Sequence, residues 1–258
     1  MQTLIVTDMD GTLLDHHDYS FDAAAEALAA IRARSIPLIL ASSKTRVEML
    51  RWQQRLSLED PFICENGAAI CTPTGAGELV DELAPGREHV LQVLRTLRVE
   101  QGYSFTGFSD LDVEQIARLT GLEPGDAALA AQREYSEPLV WEGDAASLDA
   151  FRAALAEQGL RAQQGGRFLS VAGPTDKGQA VTRLRQRYGG QAGSRVIALG
   201  DSPNDESMLA VADIAVIIKS GRSADMQLDG PARVIRTDAP GPVGWQAALL
   251  PLLAEMPQ

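Results

Sequence analysis

Two aspartates one residue apart, Asp8 and Asp10, stand at the end of the short apolar run Thr3-Leu4-Ile5-Val6-Thr7 and precede Gly11-Thr12. Such a run, stopping at acids, reads as a buried strand that delivers carboxylates to the carboxyl edge of a sheet, where open α/β folds place their ligands. Carboxylates this close repel one another, so at neutral pH the site needs a cation or a proton between them. An acidic turn is the plain alternative. A calcium loop is excluded because Gly11 comes too early and the later ligand spacing is absent.

The same logic returns near the other end of the chain. Val196-Ile197-Ala198-Leu199 ends in Gly200-Asp201-Ser202-Pro203-Asn204-Asp205. Gly200 allows a close backbone approach, and Asp205 enters the next helix. A carboxylate cluster of this kind suits a hard, oxygen-seeking ion such as Mg²⁺, with water and phosphate completing its shell. The competing reading is an Asp/Asn-rich turn that caps the helix. Two further segments carry polar groups at element ends. Ile36–Ala41 runs into Ser42-Ser43-Lys44, where Ser43 could serve only as an N-cap. Lys177 opens a helix after Thr175-Asp176, a position electrostatically unfavourable for the helix itself.

Asp8-Met9-Asp10-Gly11-Thr12 and Gly200-Asp201-Ser202-Pro203-Asn204-Asp205 together resemble the first and fourth motifs of the haloacid-dehalogenase-like phosphotransferases. That resemblance implies a Rossmann-like parallel-sheet core and a phosphoryl-transfer site. Asp8 would attack phosphorus to form an aspartyl-phosphate, and Asp10 would act as acid and then base. Ser42 and Lys177 would hold the phosphate, together with backbone N–H groups near Asp10–Thr12. Mg²⁺ would be bound by Asp8, the Asp10 carbonyl and Asp201, with Asp205 assisting directly or through water.

The resemblance narrows to the Cof-like branch, which carries an inserted α/β cap. It narrows further to mannosyl-3-phosphoglycerate phosphatases through Ser43-Lys44-Thr45-Arg46, Glu65-Asn66-Gly67, Arg133-Glu134-Tyr135-Ser136-Glu137, Gly165-Gly166-Arg167-Phe168 and Ala239-Pro240-Gly241-Pro242. Where that family commonly reads Arg-Phe-Tyr-His, this chain has Arg167-Phe168-Leu169-Ser170. The expected substrate is a phosphorylated sugar-glycerate. Thr12, Ser43, Lys44, Asn66, Arg133, Glu134 and Arg167 are its expected contacts, the arginines as bidentate partners of a glycerate carboxylate. The alternatives are a broader Cof-like sugar phosphatase, a glucosyl-3-phosphoglycerate phosphatase, or a sugar phosphomutase sharing core and cap. A receiver-type signalling module fits less well, because it lacks a capped insert and the second aspartate of the first motif.

These residues need a scaffold, and the chain spells one out. Thr3–Thr7 and Ile36–Ala41 read as strands, alternating with helices over Asp22–Arg34 and Lys44–Leu56. Phe62–Cys64 and Ala69–Cys71 read as a hairpin around Glu65-Asn66-Gly67. After Asp176 the alternation resumes with a helix over Lys177–Tyr188 and strands at Arg195–Leu199, Ile214–Ile218 and Ala232–Ile235. Short helices at Glu206–Val211 and a longer one over Val243–Ala254 complete it. Between these halves, helices over Arg87–Gln101, Asp112–Leu119, Pro124–Ala131 and Ala145–Gln158 mix with strands at Pro138–Trp141, Leu160–Gln163 and Phe168–Ala172. The fold class is α/β, with residues 1–82 and 176–258 as core and 83–175 as an inserted α+β cap.

Composition bounds the rest. The 258 residues are 45% hydrophobic, enough for a sizeable core. A net charge of −12 with no basic stripe argues against nucleic acid, whose phosphates need clustered Lys and Arg. No apolar run nears the ~20 residues that span a bilayer. Two cysteines, Cys64 and Cys71, read as reduced structural thiols. His16, His17 and His89 join no constellation. The expectation is a cytoplasmic enzyme, monomer or homodimer, acting on a small phosphorylated sugar.

Overall fold

The computed structural model describes residues 2–165, 167–189 and 193–256. The chain opens with β1 (Gln2–Thr7), α1 (Ala25–Ala33), β2 (Leu38–Ala41) and α2 (Arg46–Leu56). Three strands follow, β3 (Phe62–Cys64), β4 (Ala69–Thr74) and β5 (Gly77–Glu82). Next come α3 (Arg87–Gln101), β6 (Phe105–Gly107), α4 (Val113–Thr120), α5 (Pro124–Ala130), β7 (Ser136–Trp141), α6 (Ala145–Glu157), β8 (Arg161–Gln164) and β9 (Leu169–Ala172). The chain then closes with α7 (Lys177–Gly189), β10 (Ser194–Gly200), α8 (Glu206–Ala210), β11 (Ile214–Lys219), β12 (Arg233–Pro240) and α9 (Gly241–Ala254).

Eight strands form one sheet in the order β12-β11-β10-β1-β2-β3-β4-β5. The first six are parallel and the last two antiparallel. Sequence patterning predicts β3 and β4 but not β5, whose residues Gly77–Glu82 are half-buried or exposed and show no apolar run. Both faces of the central strands are buried. Ile5, Ile197 and Leu199 pack with Ala27, Met49, Trp245 and Leu249 on one side. Leu4, Val6, Val196 and Ala198 pack with Val181, Leu184 and Met208 on the other. That is why these strands read as continuous rather than alternating apolar runs.

Strand β1 lies between β2 and β10, so the strand order runs to one side of it first and returns to the other side after the insert. Open parallel sheets bind ligands at such a reversal, outside the carboxyl ends of the strands. Asp8, Ser42 and Asp201 each follow the last residue of one of these three neighbours. Thr7 fixes the end of β1: its hydroxyl donates to the Asp8 carbonyl at 2.7 Å and accepts from the indole N–H of buried Trp245 at 3.0 Å.

A second sheet, antiparallel in the order β6-β7-β9-β8, lies wholly between residues 83 and 175. Helices α3 and α6 cover it through Val90, Leu94, Leu97, Phe151 and Leu155. Helices α4 and α5 form a lobe of their own around Phe108, Ile116 and Ala127. Sequence patterning misses β6, which is three residues long and carries Gly107. The other expected elements are found with ends shifted by a few residues. Helix α2, expected from Lys44, starts at Arg46 because Thr45 and Glu48 form a reciprocal capping box.

The β3–β4 connection bends through three residues with positive φ: Glu65 at 44°, Asn66 at 60° and Gly67 at 97°. A Cβ at Gly67 would collide with the backbone carbonyl of Asp176 and stand 2.7 Å from the Lys177 nitrogen. This hairpin therefore abuts the start of α7. Gly67→Ala should destabilise the protein by about 1–3 kcal/mol, the usual scale of such backbone strain. Urea unfolding measures it; an unchanged midpoint would mean the two segments do not touch.

Candidate active site

Lys177, the first residue of α7, is buried between two carboxylates. Its Nζ donates to Asp8 Oδ1 at 2.6 Å and to Asp205 Oδ1 at 2.7 Å, and its side chain exposes no surface. Asp205 uses its other oxygen to accept from the Asp201 and Ser202 backbone N–H groups at 3.1 and 3.2 Å. It thus shapes the loop after β10 while it holds the lysine. Gly200 permits this: a Cβ there would lie 2.5 Å from the Asp205 Cβ. Thr12 is buried and donates to Asp201 Oδ1 at 3.3 Å.

Carboxylate oxygens of Asp8, Asp201 and Asp205 lie within 4.8 Å of one another. Burial pushes the Asp8 carboxyl up, repulsion from Asp205 adds to this, and Lys177 opposes both. Burial, then Asp205, pushes Asp201 up to about 6. Burial alone would lower the Lys177 ammonium, but Asp205 and Asp8 reverse that and hold it protonated well above its ordinary range. One ammonium therefore does not neutralise the cluster. Its all-oxygen donor set fits a hard divalent cation such as Mg²⁺, which would lodge at Asp8 and Asp201. Asp205 is already committed to Lys177 and to the loop N–H groups, so a direct bond from it to the ion would compete with those contacts.

Asp10 turns away from this cluster and accepts from Lys44 Nζ at 2.8 Å. Burial would lower the Lys44 ammonium, but Asp10 and Glu48 together outweigh it and the group is raised. The second Asp10 oxygen is buried without a hydrogen-bond partner among the described residues, as is the side-chain oxygen of Asn66. Ser42 is buried beside them in the chain path: its N–H donates to the Ile63 carbonyl, and its own carbonyl accepts from the Asn66 N–H at 2.9 Å. Ser43 is exposed and is not the helix N-cap, a role taken by Thr45.

The cap residues are placed differently from expectation. Arg133 donates to the Ser43 carbonyl and to the Ser136 hydroxyl, both at 3.0 Å. Glu134 pairs with Arg46 through three hydrogen bonds of 2.7 to 3.2 Å. Arg167 is exposed and donates to the Leu119 and Thr120 carbonyls at the end of α4, so it caps a helix and is not brought to the site. Gly166, in the segment that carries Arg167, lies outside the described residues. Glu137, at the end of the segment that carries Arg133 and Glu134, is fully buried, accepting from Arg87 and from the Ser109 N–H.

Sequence reasoning passed over Glu65, a buried carboxylate beside Ser42, and Tyr19, which takes a positive φ of 57° and places its ring 5.3 Å from the Lys44 ammonium. Consecutive left-handed residues leave a trace in sequence only through the Asn66-Gly67 pair that follows Glu65. For Tyr19 there was no signal.

The sequence pattern of the haloacid dehalogenase-like hydrolases matches residues 5–118 and 139–225, and the chain belongs to that family. Similar solved structures include BT1666 from Bacteroides thetaiotaomicron, described among phosphatases of that superfamily, at 17% identity. It covers 99% of this chain and 96% of its own, with a TM-score of 0.70. The sugar phosphatase BT4131, of subclass IIB, is 17% identical over 98% of this chain and 99% of its own, with a TM-score of 0.66. TM0651 from Thermotoga maritima is 19% identical over 100% and 98%, also with a TM-score of 0.66. At these identities the likeness establishes the fold.

The raised Asp201 carboxyl has a sign that can be measured. Its pKa moves from 3.8 in a free side chain to about 6, so without metal the folded state holds a proton that the unfolded chain releases. Stability is therefore lost as pH rises from about 4 to 6. In chelator, Asp201→Asn should be more stable than the parent at pH 8, on the order of 2 kcal/mol, with the gain vanishing near pH 4. Equal stability of both proteins at pH 8 would contradict the assigned burial of, and repulsion on, the Asp201 carboxylate.

Proposed function

We propose that this chain is a Mg²⁺-dependent phosphatase that hydrolyses a small phosphorylated sugar through an aspartyl-phosphate at Asp8. The observation that carries this reading is the buried Asp8–Lys177–Asp205 arrangement at the end of β1, with Asp201 beside it. Asp8 is aligned by its carbonyl bond to Thr7 and by Lys177, so its free oxygen can attack phosphorus in line. Lys177, the Ser42 hydroxyl and N–H groups of the Asp10–Thr12 turn would balance charge on the equatorial oxygens. Asp10, whose carboxylate lies outside the cluster, would give a proton to the departing alkoxide and later take one from water. A Mg²⁺ held at Asp8 and Asp201 would supply the positive charge that lets a carboxylate meet a phosphate dianion.

The finer assignment is mannosyl-3-phosphoglycerate as substrate and mannosylglycerate as product, a compatible solute. It is supported by the family-like segments at 43–46, 65–67, 133–137 and 239–242. With Arg167 on the end of α4, the cations beside the site are Lys44, paired with Asp10, and Arg133, on the Ser43 carbonyl, and the glycerate carboxylate falls to these. The unpartnered oxygen of Asn66 would accept a substrate hydroxyl, because a buried acceptor left unpaired is costly. A phosphomutase would use the same core, and free phosphate separates the two readings.

Screening phosphate release from sugar phosphates, including mannosyl- and glucosyl-3-phosphoglycerate, with and without Mg²⁺, tests this directly. Asp8→Asn should fold yet lose about 10³-fold or more in kcat, the scale on which loss of a nucleophile registers. Chelation should abolish turnover and Mg²⁺ restore it. Near-normal hydrolysis by folded Asp8→Asn, or by metal-stripped protein, would refute the mechanism.

A further inference from the structure

The turn between β3 and β4 reaches in two directions. Through its backbone, Glu65 N–H donates to the Lys44 carbonyl and Asn66 N–H to the Ser42 carbonyl, both at 2.9 Å. Through its side chain, Glu65 accepts from the Glu134 N–H at 2.8 Å, the Tyr135 N–H at 3.2 Å and the Ser136 hydroxyl at 2.5 Å. That carboxylate exposes no surface, and the residue is held at a positive φ. A charged group so placed, in a conformation few side chains adopt, is kept by its three donors.

The segment it grips is the return from α5 into β7. Tyr135 is packed in the core cluster, and its hydroxyl donates to Glu82 at 2.9 Å. Upstream, α5 is laid against α2: the Thr45 hydroxyl donates to the Leu129 carbonyl at 3.0 Å, and Arg51 pairs with Asp126. Between these helices lies a cavity of about 230 Å³, walled by Tyr19, Lys44 and Trp52 on one side and by Leu122, Asp126 and Leu129 on the other. Its link to the chemistry is Lys44, whose ammonium sits on Asp10.

We propose that Glu65 is a positioning residue that sets leaving-group specificity, by anchoring the α4–α5 lobe as the far wall of the cavity lined by Lys44, the partner of Asp10. The inference rests on the phosphatase reading. Its consequence is selective. A substrate whose alcohol fills the cavity depends on that wall. A phosphoryl donor with a minimal leaving group depends only on the core groups, whose backbone contacts to Glu65 and Asn66 survive a change of side chain.

The test compares the sugar phosphate that the wild type hydrolyses best with acetyl phosphate, both with Mg²⁺ and well below each variant's melting temperature. Glu65→Gln keeps the shape but turns an amide N–H₂ toward groups that donate. It should lose about tenfold or more in kcat/KM on the sugar phosphate, chiefly through KM, and less than about threefold on acetyl phosphate. Ser136→Ala removes one of the three donors, and with it an acceptor of Arg133, and should shift the same ratio in the same direction by less, so the test stands even if Glu65→Gln folds poorly. Equal losses on the two substrates, or an unchanged ratio in both variants, would overturn the proposal while leaving the phosphatase reading intact. A wild type that releases no phosphate from any ester would overturn that reading, and the proposal with it.

Discussion

The Lys177 ammonium stands 2.6 Å from Asp8 and 2.7 Å from Asp205 with no exposed surface of its own. Taking these three charges out of water is expensive, and their attraction offsets the cost only if the geometry is good and the remaining lone pairs are occupied. The fold supplies both conditions. Asp8 is fixed by the end of β1, Asp205 by the loop after β10, and Lys177 by the start of α7, against which the β3–β4 turn is pressed at Gly67. Removing the lysine would leave buried carboxylates unpaired; removing the sheet edge would leave nothing to converge on. The cluster retains excess negative charge even so, and that excess is what a cation and a phosphate can share.

A second constraint joins the cap to this centre. Besides the chain connections at either end of the insert, the return from α5 to β7 is tied to the core by Glu65, by Arg133 on the Ser43 carbonyl, and by Arg46 between Glu78 and Glu134. The α4–α5 lobe is also tied to α2 directly, by the Thr45 hydroxyl on the Leu129 carbonyl and by Arg51 on Asp126. The cavity beside Lys44 is therefore bounded by contacts that pass within a few residues of Ser42.

Much of the centre was legible in the sequence because it lies at strand ends. Apolar runs that stop at Asp8, Ser42 and Asp201 point to one sheet edge, and parallel pairing of β2, β1 and β10 brings them together. Lys177 was legible because a lysine opening a helix has no local reason to be there. The α/β core with an inserted α+β segment was legible from the alternation of elements. Strands β5 and β6 were not, since one is an exposed edge without an apolar pattern and the other only three residues long. Side-chain partners in the insert were not legible either. Arg133 and Arg167 looked alike as cations, but one reaches the Ser43 carbonyl and the other ends a helix. Glu65 looked like a turn residue, and only the return of a segment 70 residues later gives its carboxylate a purpose.

Chemical trapping of the covalent state tests the central claim most directly. Enzyme turning over a saturating sugar phosphate with Mg²⁺ would be quenched in acid, reduced with borohydride and digested, and the peptide containing β1 sequenced by mass. An acyl phosphate at Asp8 is reduced to homoserine, so the account predicts homoserine at position 8 alone, dependent on substrate and metal. Phosphoryl transfer without homoserine at position 8, or with it at Asp10 or Asp201, would contradict the account.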